Sequence, residues 1–148
     1  MSIESIRFAF AVNDDGFFQP THFGNADRYL IYQWNNNGLE YLKDLKNIHK
    51  SLDEKQKHGL QQKGNAIIDY LKEEGVKIIV SKQFGKNIKM VNRHFIPIII
   101  YKEMPDEVLP LIKKHMKWIE DELKNNPAEY RLFTFKKGAL KTIIKKEE

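Results

Sequence analysis

Four consecutive residues, Asn35-Asn36-Asn37-Gly38, constrain the fold of this chain more than any other stretch. Asparagine and glycine tolerate the left-handed backbone that tight hairpin turns require. Before them runs Arg-Tyr-Leu-Ile-Tyr-Gln-Trp (28–34), and after them Leu-Glu-Tyr-Leu-Lys-Asp-Leu-Lys (39–46). The second run by itself could pass for helix, but the turn makes it the returning strand. The chain therefore has an antiparallel hairpin early in its length.

The neighbouring segments fall into place around that hairpin. Residues 6–12, Ile-Arg-Phe-Ala-Phe-Ala-Val, read as a buried strand, stopped by the turn chemistry of Asn13-Asp14-Asp15-Gly16. Residues 17–27, with Pro20 and Gly24, are irregular. Residues 47–57 are polar and read as loop. From Lys63 to Glu74, Ala66, Ile67, Tyr70 and Leu71 follow helical spacing, and Gly75 sits where a helix-ending glycine belongs. Residues 76–80 are a buried strand, 84–93 a short helix and 95–101 another strand, in which Pro97 implies an edge position or a strand start. A long helix is predicted over 106–124, with Leu109, Ile112, Met116, Ile119 and Leu123 as its apolar stripe; Pro105 lies ahead of it and Pro127 beyond it. The order is β-β-β-α-β-α-β-α, an α/β arrangement with a mixed five-stranded sheet covered by helices on both faces. This predicts one domain over 1–126. Residues 127–148 form a basic extension in which 130–135 alternates like a strand and Lys136-Lys137-Gly138 can turn it into a hairpin.

Composition narrows the function. With no cysteine, disulfide frameworks, zinc ribbons, all-cysteine iron–sulfur sites and thiol nucleophiles are excluded. No apolar run is long enough to span a bilayer, and the first residues lack the layout of a signal peptide, so a cytoplasmic location is expected. The net charge of +5 is uneven. Residues 1–40 carry two basic and five acidic side chains, whereas 136–146 hold five lysines and no acid. That tail reads as a solvated end. It lacks the interleaved arginines and aromatics of a nucleic-acid surface, so a nucleic-acid partner is not expected.

Familiar catalytic motifs are missing. The glycine patterns of dinucleotide-binding and P-loop folds are absent, as is the serine elbow of hydrolases. His22, His49, His58, His94 and His115 are too far apart in sequence for one helix to present a chelating pair. The element order is also that of ribonuclease-H-type nucleases, which gather several carboxylates around two metal ions. Here the first strand carries no internal acid, Asp14 and Asp15 fall in the turn after it, and Asp69 lies on a helix, so the two aspartates read as solvated turn residues.

One segment is more specific. A strand, an Asp15-Gly16 turn and a loop ending His22-Phe23-Gly24-Asn25-Ala26 before the next strand resemble the dinitrogenase iron–molybdenum cofactor biosynthesis family, which includes NifX-type carriers. A second block is similar: His58-Gly59, the helix 63–74, Gly75-Val76, the strand 77–80, and Gly85-Lys86-Asn87. The resemblance covers about residues 6–101 and extends to the long helix. It implies a ribonuclease-H-like three-layer fold without the nuclease carboxylates. It also implies a small non-catalytic carrier connected with nitrogen fixation, which transiently binds an iron–sulfur or iron–molybdenum cluster, or a precursor, and exchanges it with donor or acceptor proteins.

By position, His22 is the metal-contacting candidate, with Phe23, Gly24, Asn25, His58 and Asn87 around it. Neutral imidazole ligates iron well, and Gly24 would let a bulky ligand approach the backbone. Equally, His22 could cap a turn, His58 could precede the helix and Asn87 could cap the next one. Two departures stand out. Val80-Ser81-Lys82-Gln83-Phe84 replaces the small, glycine-rich residues usual in the second block, so that Gln83 and Phe84 would narrow the pocket. The 127–148 extension has no counterpart in the minimal family domain. Two other readings remain: a ribonuclease-H-like nucleic-acid hydrolase using Asp15, and a cofactor-free interaction module in which strand 130–135 and the tail pair with a partner or a second copy.

Overall fold

The computed structural model describes residues 5–51, 59–126, 128–136 and 139–143. The first hairpin is formed as expected. β1 (Ile6–Val12) pairs antiparallel with β2 (Arg28–Trp34), and β2 pairs antiparallel with β3 (Leu39–Lys46). At the β2–β3 turn the Asn35 side chain accepts the backbone N–H groups of Asn37 and Gly38, and Asn36 takes a positive φ of 75°. An asparagine tolerates that conformation better than most residues.

The helix α1 (Gly59–Glu73) leads through Gly75, at φ 75°, into β4 (Val76–Ser81). β4 lies parallel to β1, which takes it to the sheet centre. A single 3-10 turn (Gly85–Asn87) and the one-turn helix α2 (Ile88–Val91) lead to β5 (Ile96–Ile99). The long helix α3 (Pro105–Asn125) then crosses to the hairpin β6 (Leu132–Lys136) and β7 (Ala139–Ile143).

The strand order is β3-β2-β1-β4-β5-β6-β7. Seven strands thus replace the expected five, because the extension adds its hairpin to the β5 edge. β6 is paired on both sides, parallel to β5 and antiparallel to β7, so it is not available to a partner strand. For the same reason Pro97 is not on an edge. It is the second residue of β5, one position before the β6 ladder begins at Ile98, where its missing N–H interrupts no ladder bond to β6.

Each face of the sheet is covered. Phe8, Phe10 and Val12 of β1 join Ile78, Val80, Ile96 and Ile98 in packing against Val108, Ile112, Met116 and Ile119 of α3. Ala9 and Ala11 point the other way, toward Ile67, Ile68 and Leu71 of α1 and Val91 of α2. β1 is therefore buried on both faces at residues 8–12, and its sequence is almost uninterruptedly apolar. The α3 stripe differs slightly from expectation: Leu109 and Leu123 are only partly buried, while Val108 and the acid Glu122 are buried.

Candidate functional site

The loop between β1 and β2 is held by two buried amides. Gln19 donates from Nε2 to Asn13 Oδ1 and to the carbonyl of Asn25, both at 2.9 Å. Its Oε1 accepts the backbone N–H and the hydroxyl of Thr21 at 3.0 Å. From the far side Asn47, just beyond β3, donates from Nδ2 to the carbonyls of Gly24 (3.0 Å) and Ala26 (2.9 Å). Its own N–H reaches the carbonyl of Asp27. Both amides are less than a tenth exposed. They satisfy carbonyls that an irregular buried segment would otherwise leave unpaired. Neither stands out in the sequence, because a polar residue next to a turn looks the same whether it faces water or a loop backbone.

Phe23 is the hydrophobic anchor of the loop. It is fully buried, with its ring centroid 5.5 Å from that of Phe84. Phe84 therefore does not narrow a pocket; it turns inward and seats the loop. Gln83 stays exposed, and its carbonyl accepts the Phe23 N–H at 2.9 Å. The phenol of Tyr29, opposite Ala11 in the β1–β2 register, donates to the Phe23 carbonyl at 2.9 Å. Burial pushes the Tyr29 hydroxyl far above its ordinary pKa, so it remains a donor.

His22 caps the 3-10 turn Phe23–Asn25. Its Nδ1 accepts the Gly24 N–H at 3.2 Å. A Cβ on Gly24 would lie 3.1 Å from the His22 ring, so the ring rests directly on that glycine. On the other side is Gly85, at φ +63°, where a Cβ would come 3.4 Å from His22 Cβ. His22 also forms a bridge with Gln83. The imidazole is thus half-buried between two chain reversals at the carboxyl ends of β1 and β4. A Nδ1 that accepts an N–H leaves the proton of the neutral ring on Nε2. Ligation of a metal through Nε2 then requires that proton to leave, or the ring to release Gly24.

Asn25 faces α1. Its Nδ2 donates to the Thr21 hydroxyl at 3.0 Å, and its Oδ1 accepts Lys63 Nζ at 2.9 Å. Lys63 is 3% exposed.

The remaining candidates are dispersed. His58 lies outside the described residues, and of Asn87 only the backbone is described, in the Gly85–Asn87 turn next to His22. His49 meets Tyr70 edge-on, His94 meets Phe95, and His115 packs against Trp118 and Phe135. Asp14 pairs with Arg28 at 2.5 Å, and Asp15 accepts the Phe17 N–H of its own turn. Among the described residues no three histidine or carboxylate side chains cluster as a metal site. A cavity of about 960 Å³ opens beside the loop, lined by Asp14, Asp27, Arg28, Asp44, Asn47 and Lys50 among others. Arg28 bridges Asp14 and Asp44 across it, and Lys50 pairs with Asp27. His22 is not one of its walls. Asn47 is shared between cavity and loop.

The sequence profile described as dinitrogenase iron-molybdenum cofactor matches residues 4–116. The chain belongs to this family. The match runs from β1 into α3 and leaves the β6–β7 hairpin outside it. A search of curated proteins gave no match. Membership in the dinitrogenase iron–molybdenum cofactor family indicates a role in the biosynthesis or binding of that cofactor. No helix among the described residues is long and apolar enough to cross a membrane. The loop offers a metal one imidazole and, with no cysteine in the chain, no thiolate.

Proposed function

We propose that this protein is a non-catalytic, cytoplasmic carrier that binds an iron–molybdenum or iron–sulfur cluster, or a precursor, at the His22 loop. The first five strands, in the order β3-β2-β1-β4-β5 with α1 and α2 on one face and α3 on the other, support a ribonuclease-H-like reading of the fold. The observation that carries the reading is the position of His22. It is wedged between Gly24 and Gly85, on a loop fixed by Gln19, Asn47 and Phe23. A rigid frame around one half-buried imidazole, a donor that suits iron, supports a ligand that binds and leaves.

The cluster is cargo, held by imidazole, backbone and shape. Its binding exchanges the His22–Gly24 hydrogen bond for a metal bond. A transient carrier benefits from that competition, since the capped state is restored on release. The test is anaerobic reconstitution of full-length protein with an iron–sulfur cluster or the nitrogenase cofactor. Wild type should take up cluster and His22→Ala should not. Equal uptake by the two, or none by either, contradicts the proposal.

A further inference from the structure

We propose that an anionic cargo approaches His22 over the turn between β4 and α2, drawn by the lysines gathered there. The inference rests on the reading of the His22 loop as a cargo site. Residues 75–102, between Glu74 and Glu103, hold Lys77, Lys82, Lys86, Lys89, Arg93 and Lys102 and no carboxylate. The other 120 residues carry 19 basic and 20 acidic side chains, so this stretch alone accounts for the positive charge of the chain. The fold brings its middle against His22. Gln83 bridges to His22, and a Cβ on Gly85 would stand 3.4 Å from His22 Cβ. Lys82 and Lys86 flank those two residues in sequence. The Ile100 N–H donates to the Ser81 carbonyl at 3.1 Å, which keeps the end of β5, with Lys102 two residues on, beside the end of β4. Lys86, Lys89 and Lys102 are exposed. Among the described residues, none of Lys82, Lys86, Lys89 and Lys102 pairs with a carboxylate.

The β2–β3 side of the loop is different. There Asp14, Asp27 and Asp44 line the cavity and are matched by Arg28 and Lys50. Charges that come in opposite pairs exert little field on an ion at a distance. Charges of one sign add: they raise the local concentration of an oppositely charged ligand and speed its association by about 10–1,000-fold, an effect that salt weakens. Sulfide- and oxide-bearing clusters are commonly anionic, and a lone neutral imidazole exerts no long-range pull on them. The lysines around the β4–α2 turn supply that pull. Because the ring makes the metal bond and the lysines stand around it, they govern how fast cargo arrives rather than how long it stays.

The test is stopped-flow binding of tetrathiomolybdate, a coloured dianionic probe, to the full chain under anaerobic conditions. Wild type is compared with a triple variant, Lys86→Gln, Lys89→Gln and Lys102→Gln, and with its charge-keeping counterpart, Lys86→Arg, Lys89→Arg and Lys102→Arg. A tail triple, Lys136→Gln, Lys137→Gln and Lys141→Gln, removes the same charge from the β6–β7 hairpin, two and three strands beyond β4. Near-UV circular dichroism checks folding. At about 0.15 M salt, where charges are screened over about 8 Å, the first triple should associate about fivefold more slowly than wild type. Its dissociation rate should be unchanged, and the difference should vanish at about 1 M salt. The arginine triple should match wild type, and the tail triple should stay within about twofold of it. Equal association rates in wild type and the glutamine triple overturn the inference. So does failure of the arginine triple to match wild type, or a tail triple that slows as much, which would make net charge the cause. An effect confined to dissociation also overturns it, because it would place the lysines on bound cargo. If the glutamine triple misfolds, wild type decides: a salt-independent association rate overturns this inference alone. No binding by wild type overturns the cargo reading and this inference together.

Discussion

The side-chain amide of Asn47 donates to the carbonyl oxygen of Gly24 at 3.0 Å, joining the end of β3 to the loop that carries His22. The same nitrogen reaches the carbonyl of Ala26, and Oδ1 accepts the His49 N–H. One buried side chain thus fixes two loop carbonyls and the chain that follows β3. Asn47→Ala should lower unfolding free energy by about 1–3 kcal/mol, since buried carbonyls lose their donor. Asn47→Asp should be no better, because a carboxylate cannot donate. Urea denaturation of the three proteins reads this directly, and a neutral effect of Asn47→Ala would show that the loop holds its shape without it.

Gly24 and Gly85 should respond differently to alanine. At Gly24 the added methyl would crowd the His22 ring, so the ring must tilt and the cap to the Gly24 N–H must weaken. At Gly85 the clash is milder but the backbone is left-handed, which costs a non-glycine residue about 1 kcal/mol. Gly24→Ala should therefore shift the His22 imidazole resonances in NMR spectra. Gly85→Ala should show chiefly as a lower denaturation midpoint.

Glu122 is the buried acid of α3. Its carboxylate accepts the Asn126 amide, the Arg131 N–H at 2.8 Å and Arg131 Nε at 3.0 Å, so it clasps the helix end to the start of the tail hairpin. Glu122→Ala should cost about 2 kcal/mol, the scale of hydrogen bonds to a charged group. Hydrogen exchange should then accelerate most in β6. Unchanged protection there would mean that the pairing of β6 with β5 and β7 holds the hairpin without the clasp.

Asp27 gives a pH signature. Its hydrogen bond from Lys50, and then that from the Asp14 N–H, hold its carboxyl below the ordinary value of 3.8. A carboxyl whose folded-state pKa is depressed stabilises the fold above its unfolded value, and that contribution disappears as pH falls through the folded one. Asp27→Asn should therefore be slightly less stable than wild type at neutral pH and should lose less stability below about pH 4. Parallel acid-side curves for the two proteins would contradict the assignment.

Much of the fold was legible because it depends on local signals. The Asn-Asn-Asn-Gly turn and the apolar runs around it placed β1, β2 and β3 at their observed bounds. Longer-range facts were not. Whether Pro97 lies on an edge depends on where residues 132–136 pair, and no local pattern states that. In the candidate loop, His22-Phe23-Gly24 stands out in the sequence, but the division of labour within it does not. Phe23 reads as a site residue and is an anchor; Phe84 reads as an obstruction and is its packing partner. Gln19, Asn47 and Lys63 carry no local signal, because burial of a polar residue follows from tertiary packing alone.

We propose His22 as the contact through which this loop holds its cargo. Anaerobic cluster uptake by wild type and His22→Ala, measured as bound iron or molybdenum per chain after gel filtration, tests it most directly. Wild type should carry metal and His22→Ala little, with the variant still folded. Equal metal on both proteins, or none on either, would contradict it.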